Sequence, residues 1–364
     1  MTRLIVAAGG GGDAVAAAML DAALYGDDSP ALILTYAWDR LLIDPVPGPR
    51  GPANFTGLQP LTPHVHAITT KTEPVAPAGS TLPRLARELP QTFALLDPGN
   101  GAQGITRQLE ELIQHLAPES IDLLDVGGDI LAQGDEPTLR SPLADALTLA
   151  ASCQVDFPVR LLVAGPGLDG ELPAAELRGL LGRHVLTLAP RHIESVAQVL
   201  EWHPSEATAM LCATARKIRG LCEVRDAGLP VPLTDEGPTV HEVALDDAFN
   251  RNRLARAIAS TTTLAAAEQL SREICGFSEI DYERNKSTWL ESQPVREIDT
   301  TATLHQVAEF EHEARARGVS YTTFRRLTEA LGLNGTQREA LKALLIETRP
   351  AQYAPPLWHI PPGA

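Results

Sequence analysis

Short apolar runs that stop on glycine and an acid recur along this chain, and a stretch with helical spacing follows each of them. Leu4 to Ala8 runs into Gly9-Gly10-Gly11-Gly12-Asp13, after which Val15, Ala18, Met19 and Ala22 to Leu24 give a helical period. Ile121 to Leu124 closes on Asp125-Val126-Gly127-Gly128-Asp129. Runs this short and this apolar suit parallel strands buried on both faces, and their alternation with helices predicts an α/β sheet.

Ala31–Tyr36, Val65–Ile68, Thr92–Asp97, Val159–Ala164 and Val185–Leu188 read as further strands, with short candidates at Leu221–Arg225 and Val240–Leu245 closing the sheet. Predicted helices cover Ile105–Leu116, a stretch from Pro142 capped by Ser141, Arg191–Leu200, and a stretch from Ser205 to about Arg219. Beyond about residue 250 the pattern is helical only, at Ile258–Ile274, Ala302–Arg317, Tyr321–Leu331 and Thr336–Ile346. The prediction is therefore a doubly wound, mainly parallel sheet with helices on both faces. A Rossmann-like ligand-binding domain spans residues 1–250, and a helical C-terminal region with an extended, proline-rich tail spans 251–364.

Composition narrows the function. A formal charge of −16 opposes nucleic-acid and anionic-membrane surfaces, so neither partner is expected. No apolar stretch is long enough to span a bilayer, and the apolar run at the start is too short for a signal peptide, so the chain is expected to be soluble and cytoplasmic. Four cysteines lie far apart without a CxxC pair, which favours free thiols over a zinc site.

In a parallel sheet, strand ends share one edge. The ends at Gly9–Asp13, Asp39–Asp44, Asp97–Gly104, Asp125–Asp129 and Asp169–Glu171 would make that edge glycine-lined and acidic. Crowded carboxylates raise one another's pKa unless a cation offsets them, so the site expects positive charge. That charge is either Mg²⁺ bridging a phosphorylated ligand or a cationic ligand such as an amine or guanidine. Mg²⁺ needs few carboxylates, and Asp125 and Asp129 would suffice.

The opposing reading is that these acids and glycines only make turns and caps. For Asp13, at the start of a predicted helix, the cap reading is the favoured one. The Gly9–Gly12 amides are candidates for an anionic group, without a GxGxxG or Walker spacing. The long loop from Ala37 to Pro52 reads either as a lid or ligand wall, offering Trp38, Arg40 and Arg50, or as a stiff surface excursion with an Asp39–Arg40 pair.

Histidines form no metal pattern, and only His203, in a loop-to-helix corner, is placed to reach a cleft. No GxSxG elbow or Cys–His signature supports a covalent hydrolase. The segment from Tyr321 to Arg338 superficially suggests a helix-turn-helix, but Arg325, Arg326 and Arg338 are too few for a phosphate-tracking face. An accessory cap or a dimer contact is the preferred reading, which leaves a homo-oligomer open.

Five stretches together resemble a prokaryotic family known as domain of unknown function 1152. They are Gly9–Asp13, Trp38-Asp39-Arg40 through Asp44-Pro45 to Gly48-Pro49-Arg50, Asp125–Asp129, Ser141–Asp145 and Asp169–Leu172, covering roughly residues 1 to 285. The resemblance implies that the acidic strand ends belong to a common design and one continuous site-bearing domain, and it carries no activity.

The expected function is an enzyme on a small polar metabolite, phosphorylated or nucleotide-like, with Mg²⁺ as the candidate cofactor. Asp129, Asp169 and Glu171 are the catalytic candidates, and Asp125 and Asp129 the metal ligands. Gly9, Gly10, Gly11, Gly12, Asp13, Trp38, Arg40, Arg50, Gly127, Gly128 and Ser141 are the ligand-binding candidates. Alternatives are a lyase or transferase on an amino-acid-like substrate, and a non-catalytic small-molecule sensor with a helical output region.

Overall fold

The computed structural model describes residues 3–26, 29–225, 228–293 and 297–363. It is a mixed α/β structure around a nine-stranded sheet. The strands are β1 (Leu4–Gly10), β2 (Leu32–Tyr36), β3 (Gln59–Pro60), β4 (His66–Ile68), β5 (Thr92–Leu96), β6 (Ile121–Val126), β7 (Val159–Ala164), β8 (Arg183–Thr187) and β9 (Thr239–Val243). Their order across the sheet is β8-β9-β7-β6-β1-β2-β5-β4-β3. The central five, β7-β6-β1-β2-β5, are all parallel, while β9 and β4 join antiparallel on either side.

Alternate residues of these strands feed two separate apolar layers, as a period of two requires. Leu4, Val6 and Ala8 join Leu32, Leu34 and Tyr36 on one face, against Ile105, Leu109 and Leu147. Ile5, Ala7 and Ile33 line the other face, against Val15, Met19, Met210 and Leu211. Helix α1 (Asp13–Tyr25) is buried all round its first two turns, because it lies between the sheet and a second helix. Its alanines keep those separations short.

β1 has β2 on one side and β6 on the other, so the chain first builds outward in one direction and then crosses to the opposite one. The loops after β1 and β6 diverge at that point and leave a crevice over the carboxyl ends of the strands.

Four elements differ from the sequence reading. Residues 220–224 do not close the main sheet. They pair with Leu229–Leu233 and with the C-terminal strands Tyr321–Thr322, Leu357–His359 and Tyr353–Ala354 in a separate five-stranded sheet. The tail beyond Pro350 is therefore partly strand, and Ala364 lies outside the described residues. The predicted helix from Ile258 to Ile274 is broken over residues 259–263, Ile258 ending one helix, and Thr263 caps a new one by accepting from Ala266 N. Arg191–Leu200 is likewise interrupted, with a 3₁₀ turn at Glu194–Val196.

Residues on both sides of position 250 share packing. Leu254, Ile258 and Ile280 belong to the same apolar layer as Leu4 and Leu123. All four cysteines are free, and no described helix is long and apolar enough to cross a membrane.

Candidate functional site

A cavity of about 1680 Å³ opens over the carboxyl edge of β1 and β6. Its floor begins with the glycine loop after β1. Gly11 adopts φ +65°, which only glycine takes readily, and a Cβ there would meet only Trp38 O, at an ordinary 3.9 Å. A Cβ on Gly10 would press on the Trp38 carbonyl, and one on Gly12 would fall on Ser205 Oγ. Glycines 10 and 12 are thus there for close approach of backbone and helix. Thr208 Oγ1 donates to Gly12 O and ties helix α3 (Glu206–Ala215) to the loop.

Asp13 does not cap α1. It occupies the first helical position, and its Oδ2 reaches back to accept from Gly9 N at 3.0 Å. The carboxylate thereby turns toward the end of β6. Helix α2 (Pro142–Ser152) brings Asp145 to the same place, held down by Tyr36 OH donating to Ala144 O and Thr148 Oγ1 to Ala8 O. One oxygen each from Asp13, Asp125 and Asp145 lies within 4.8 Å of the others, and all three residues are buried. Oxygens around one Mg²⁺ or Ca²⁺ are spaced by about 3–5 Å, from metal–oxygen distances of about 2.0–2.6 Å. Asp125 Oδ2 and Asp145 Oδ1 have no hydrogen-bond partner.

The electrostatics follow from this crowding. Burial pushes Asp13 up to about 7, against the opposing effects of the Gly9 and Val126 amides and Arg40. Burial, then the charges of Asp13 and Asp169, holds Asp125 well above the usual carboxylate range. Asp145 is raised by burial and then by Asp125 and Asp13, and Asp129 by burial and then by Asp145 and Glu171. Asp169 is pushed up to about 7 by burial and then by Glu171.

The predicted residues separate into two groups. Asp13, Asp129 and Asp169 all line the one cavity, with Gly9 to Gly12, Trp38, Arg40 and Ser141. Asp129 lies close enough to Asp125 to influence its charge but stands outside the converging trio, whose third member is Asp145. Glu171 is not a free base. It accepts from Arg140 N at 2.7 Å, Ser141 N at 3.0 Å, Ser141 Oγ at 2.6 Å and Arg225 at 2.8 Å. Ser141 accordingly turns its hydroxyl to Glu171 and makes no side-chain cap.

Arg50 does not close over the crevice: it is buried on Asp44 at 3.1 Å and on the carbonyls of Val46, Pro47 and Gly48. Gly127 and Gly128 make room for neighbours, since a Cβ would strike Asp169 at the first and Leu177 at the second. The Ala37–Pro52 loop is a fixed wall. Arg50 N donates to Ala37 O, Trp38 Nε1 donates to Glu283, and Asp39 accepts from Thr81 N and Oγ1 in place of the expected pair with Arg40. Asp97 lies apart, beside Gly51 and Gly99.

Sequence reading missed one wall entirely. Helix α4 (Glu279–Glu291) lies along the cavity and buries Glu279 and Glu283, both raised above the usual carboxylate range, mainly by burial. Its only signal was Ser278 ahead of Glu279 and Asp281, and Ser278 Oγ does accept from Ile280 N and Asp281 N. Arg40, exposed at the rim, makes no hydrogen bond or ion pair through its side chain among the described residues. Arg325 and Arg338 face inward, Arg325 onto Glu206 and Arg338 onto the carbonyls of Trp202 and His203.

Residues 4–287 match the model of a family described as protein of unknown function (DUF1152), and the chain belongs to that family. Searches of the curated proteins and of the solved structures found no match.

Proposed function

We propose that this DUF1152 member is an enzyme acting on a small polar metabolite, phosphorylated or nucleotide-like, with a divalent cation in the crevice. The observation that carries the reading is the Asp13–Asp125–Asp145 trio, three buried carboxylates with converging oxygens, of which Asp125 Oδ2 and Asp145 Oδ1 are unpartnered. Uncompensated buried charge is costly, and buried charges are ordinarily paired or bound to metal. An all-oxygen, carboxylate-only donor set suits a hard cation, Mg²⁺ in the first place. When bound, that cation would neutralise and polarise an anionic oxygen of the substrate.

The chain's own groups then have distinct tasks. Asp13, Asp125 and Asp145 hold the cation. Asp169, with Oδ2 unpartnered and its proton held near neutrality, is the candidate general base. Asp129 adds its charge beside Asp125 at the edge of the trio. Arg40 meets substrate charge at the rim, and Gly11 offers backbone without a side chain in the way. The doubly wound reading of the sheet supports a ligand site at this crevice, because the strand order reverses between β1 and β6. The assignment of residues 1–250 to ligand binding, a cytoplasmic location and a homo-oligomer belong to the same proposal.

One observation favours a second reading. Carboxylates far outnumber the unpaired Arg40 at this cavity, which suits an amine or guanidine in place of a metal. Calorimetric titration with Mg²⁺ and Mn²⁺ separates the two. The cation reading expects one saturable site that is lost in Asp125→Asn and Asp145→Asn while circular dichroism stays unchanged. Wild-type protein that binds neither ion, with or without bound metabolite, rejects it; saturable binding of amines in EDTA supports the second.

A further inference from the structure

Helix α4 carries acids on two faces, and only the outer one is neutralised. There Asp281 pairs with Arg272 at 2.6 Å and Arg284 at 2.7 Å, and the two guanidinium groups hold its pKa down to about 2. On the inner face Glu279 and Glu283 are 6 % and 7 % exposed. Among the described residues they accept from neutral donors alone, Glu279 from Leu143 N at 3.3 Å and Glu283 from Trp38 Nε1 and Gly48 N. Burial, then the charge of Glu283, holds Glu279 well above the usual carboxylate range. A buried carboxylate without a cation is costly, so docking of this face carries a penalty that the chain leaves uncompensated.

The penalty falls at the acidic floor. Leu143, whose amide Glu279 accepts, lies two residues before Asp145 on α2. The Glu279 charge is felt by Asp145 and by Tyr36, whose hydroxyl holds α2 in place. Docked α4 therefore sets a fourth buried carboxylate beside the trio. Little apolar burial opposes its release, since Ile280 is the one apolar residue that α4 buries, and Ser287 Oγ adds a bond to Pro45 O. Elements that bury so little apolar surface open at a small fraction of the global unfolding free energy. The outer ion pairs, with Arg284 on Glu268 at 2.6 Å, keep α4 joined to the helix Leu264–Cys275 whether or not the inner face is seated.

Resting on the cation reading above, we infer that Glu279 is a positioning residue of the cation site and that α4 is a lid whose docking is coupled to cation binding. A cation held by Asp13, Asp125 and Asp145 supplies the positive charge that Glu279 and Glu283 lack, and so favours the seated helix. By reciprocity the seated helix, with Glu279 in place, tightens the hold on the cation.

Hydrogen exchange tests the coupling with the metal alone, because Gly48 N and Trp38 Nε1 donate to Glu283 and lose that acceptor when α4 leaves. In the full chain both groups are expected to exchange about tenfold more slowly in Mg²⁺ than in EDTA. Glu279→Gln keeps an acceptor for Leu143 N and removes the charge. It should slow exchange in EDTA, shrink the Mg²⁺ effect to about twofold or less, and weaken Mg²⁺ binding about tenfold in calorimetry. Asp281→Asn, on the outer face, should leave the ratio of the two exchange rates as it was. Equal exchange in EDTA and in Mg²⁺, where calorimetry shows the site filled, overturns the inference and leaves the cation reading standing. A Glu279→Gln protein with the full Mg²⁺ effect and wild-type affinity overturns it as well. Absence of calorimetric binding of Mg²⁺ and Mn²⁺ overturns the cation reading, and the inference falls with it.

Discussion

Two regions of this molecule bury carboxylates, and they do so in opposite ways. At the junction between the main sheet and the C-terminal segment, every buried acid has a basic partner. Glu206 accepts from Arg225 N, Thr323 Oγ1 and Arg325, while Glu223 faces Arg317 at 3.0 Å and Arg326 at 3.7 Å. At the crevice, Asp125, Asp129 and Asp145 are equally buried and make no ion pair with a described residue. The junction shows how this chain treats charge that serves the fold. The crevice departs from that treatment, which singles out its carboxylates as a set meant for something not supplied by the chain.

The largest expected effect tests the junction. Glu206→Ala takes one carboxylate from Arg325, which keeps Glu329 at 3.6 Å, and strands the Thr323 hydroxyl and the Arg225 amide, and it should lower unfolding free energy by about 3 kcal/mol in urea titration. Asp125→Asn in EDTA should do the reverse or nothing, because it removes a charge that lacks compensation. A loss at Asp125 as large as that at Glu206 would erase the distinction between the two regions.

The second effect turns the crevice into the junction. Mg²⁺ at a hundred times its dissociation constant should stabilise the wild type by about 2.7 kcal/mol, read as a rise in melting temperature over EDTA. Asp145→Asn should show no such rise. A wild-type melting curve indifferent to Mg²⁺, Mn²⁺ and Ca²⁺ would leave the acidic trio without its proposed occupant.

Much of the crevice was legible from sequence because strand ends announce themselves. β1 is a continuous apolar run and β6 one interrupted by Asp122, both stop on glycine and aspartate, and a parallel sheet necessarily brings such ends to one edge. Asp145 was harder to recognise: it sits inside a helical period, and only the three-dimensional start of α2 turns it toward Asp125. Helix α4 was invisible for a physical reason. Apart from Ile280 the residues it buries are Glu279, Glu283 and Ser287, so the apolar period that reveals an ordinary helix is absent. The five-stranded sheet escaped because some of its strands are only two residues long and the pairing that joins its halves, Cys222 with Tyr321, spans about a hundred residues.

Gly12 links the two regions, since it packs on Ser205 and Thr208 at the start of α3, whose first residue is Glu206. Gly12→Ala should cost about 1–3 kcal/mol through overpacking. Gly11→Ala, where the nearest atom to a Cβ is the Trp38 carbonyl oxygen at 3.9 Å and only the positive φ resists, should cost about 1–2 kcal/mol, less than Gly12→Ala. Equal costs at the two positions would remove the argument that Gly12 is there for close approach.

A smaller effect concerns His203, buried between the same regions. Its Nδ1 accepts from Ser205 N at 3.3 Å, and burial, then the charge of Arg338, pushes its pKa down to about 3. The unfolded chain, with histidine near its ordinary 6.5, binds the extra proton first. Stability from this group is therefore complete above about pH 6.5 and is lost as pH falls toward 3. By pH 5.5 the loss should reach about 1.4 kcal/mol. Comparing wild type with His203→Gln isolates it from the carboxylates, and a parallel pH dependence in the two proteins would assign the slope elsewhere.

The smallest effect on stability is the most telling about purpose. Arg40 is exposed, and its side chain makes no bond that holds the fold, so Arg40→Ala should move unfolding free energy by no more than about 0.5 kcal/mol. It nevertheless stands over Asp13, Glu279 and Glu283, and its charge is felt by all three. An arginine of the junction, such as Arg325, cannot be removed so lightly, because Glu206 would be left buried without the cation that pairs with it. Denaturation of Arg40→Ala and Arg325→Ala side by side measures the difference. A large loss at Arg40 would make it one more structural partner, and the crevice would then be an extension of the junction in place of its opposite.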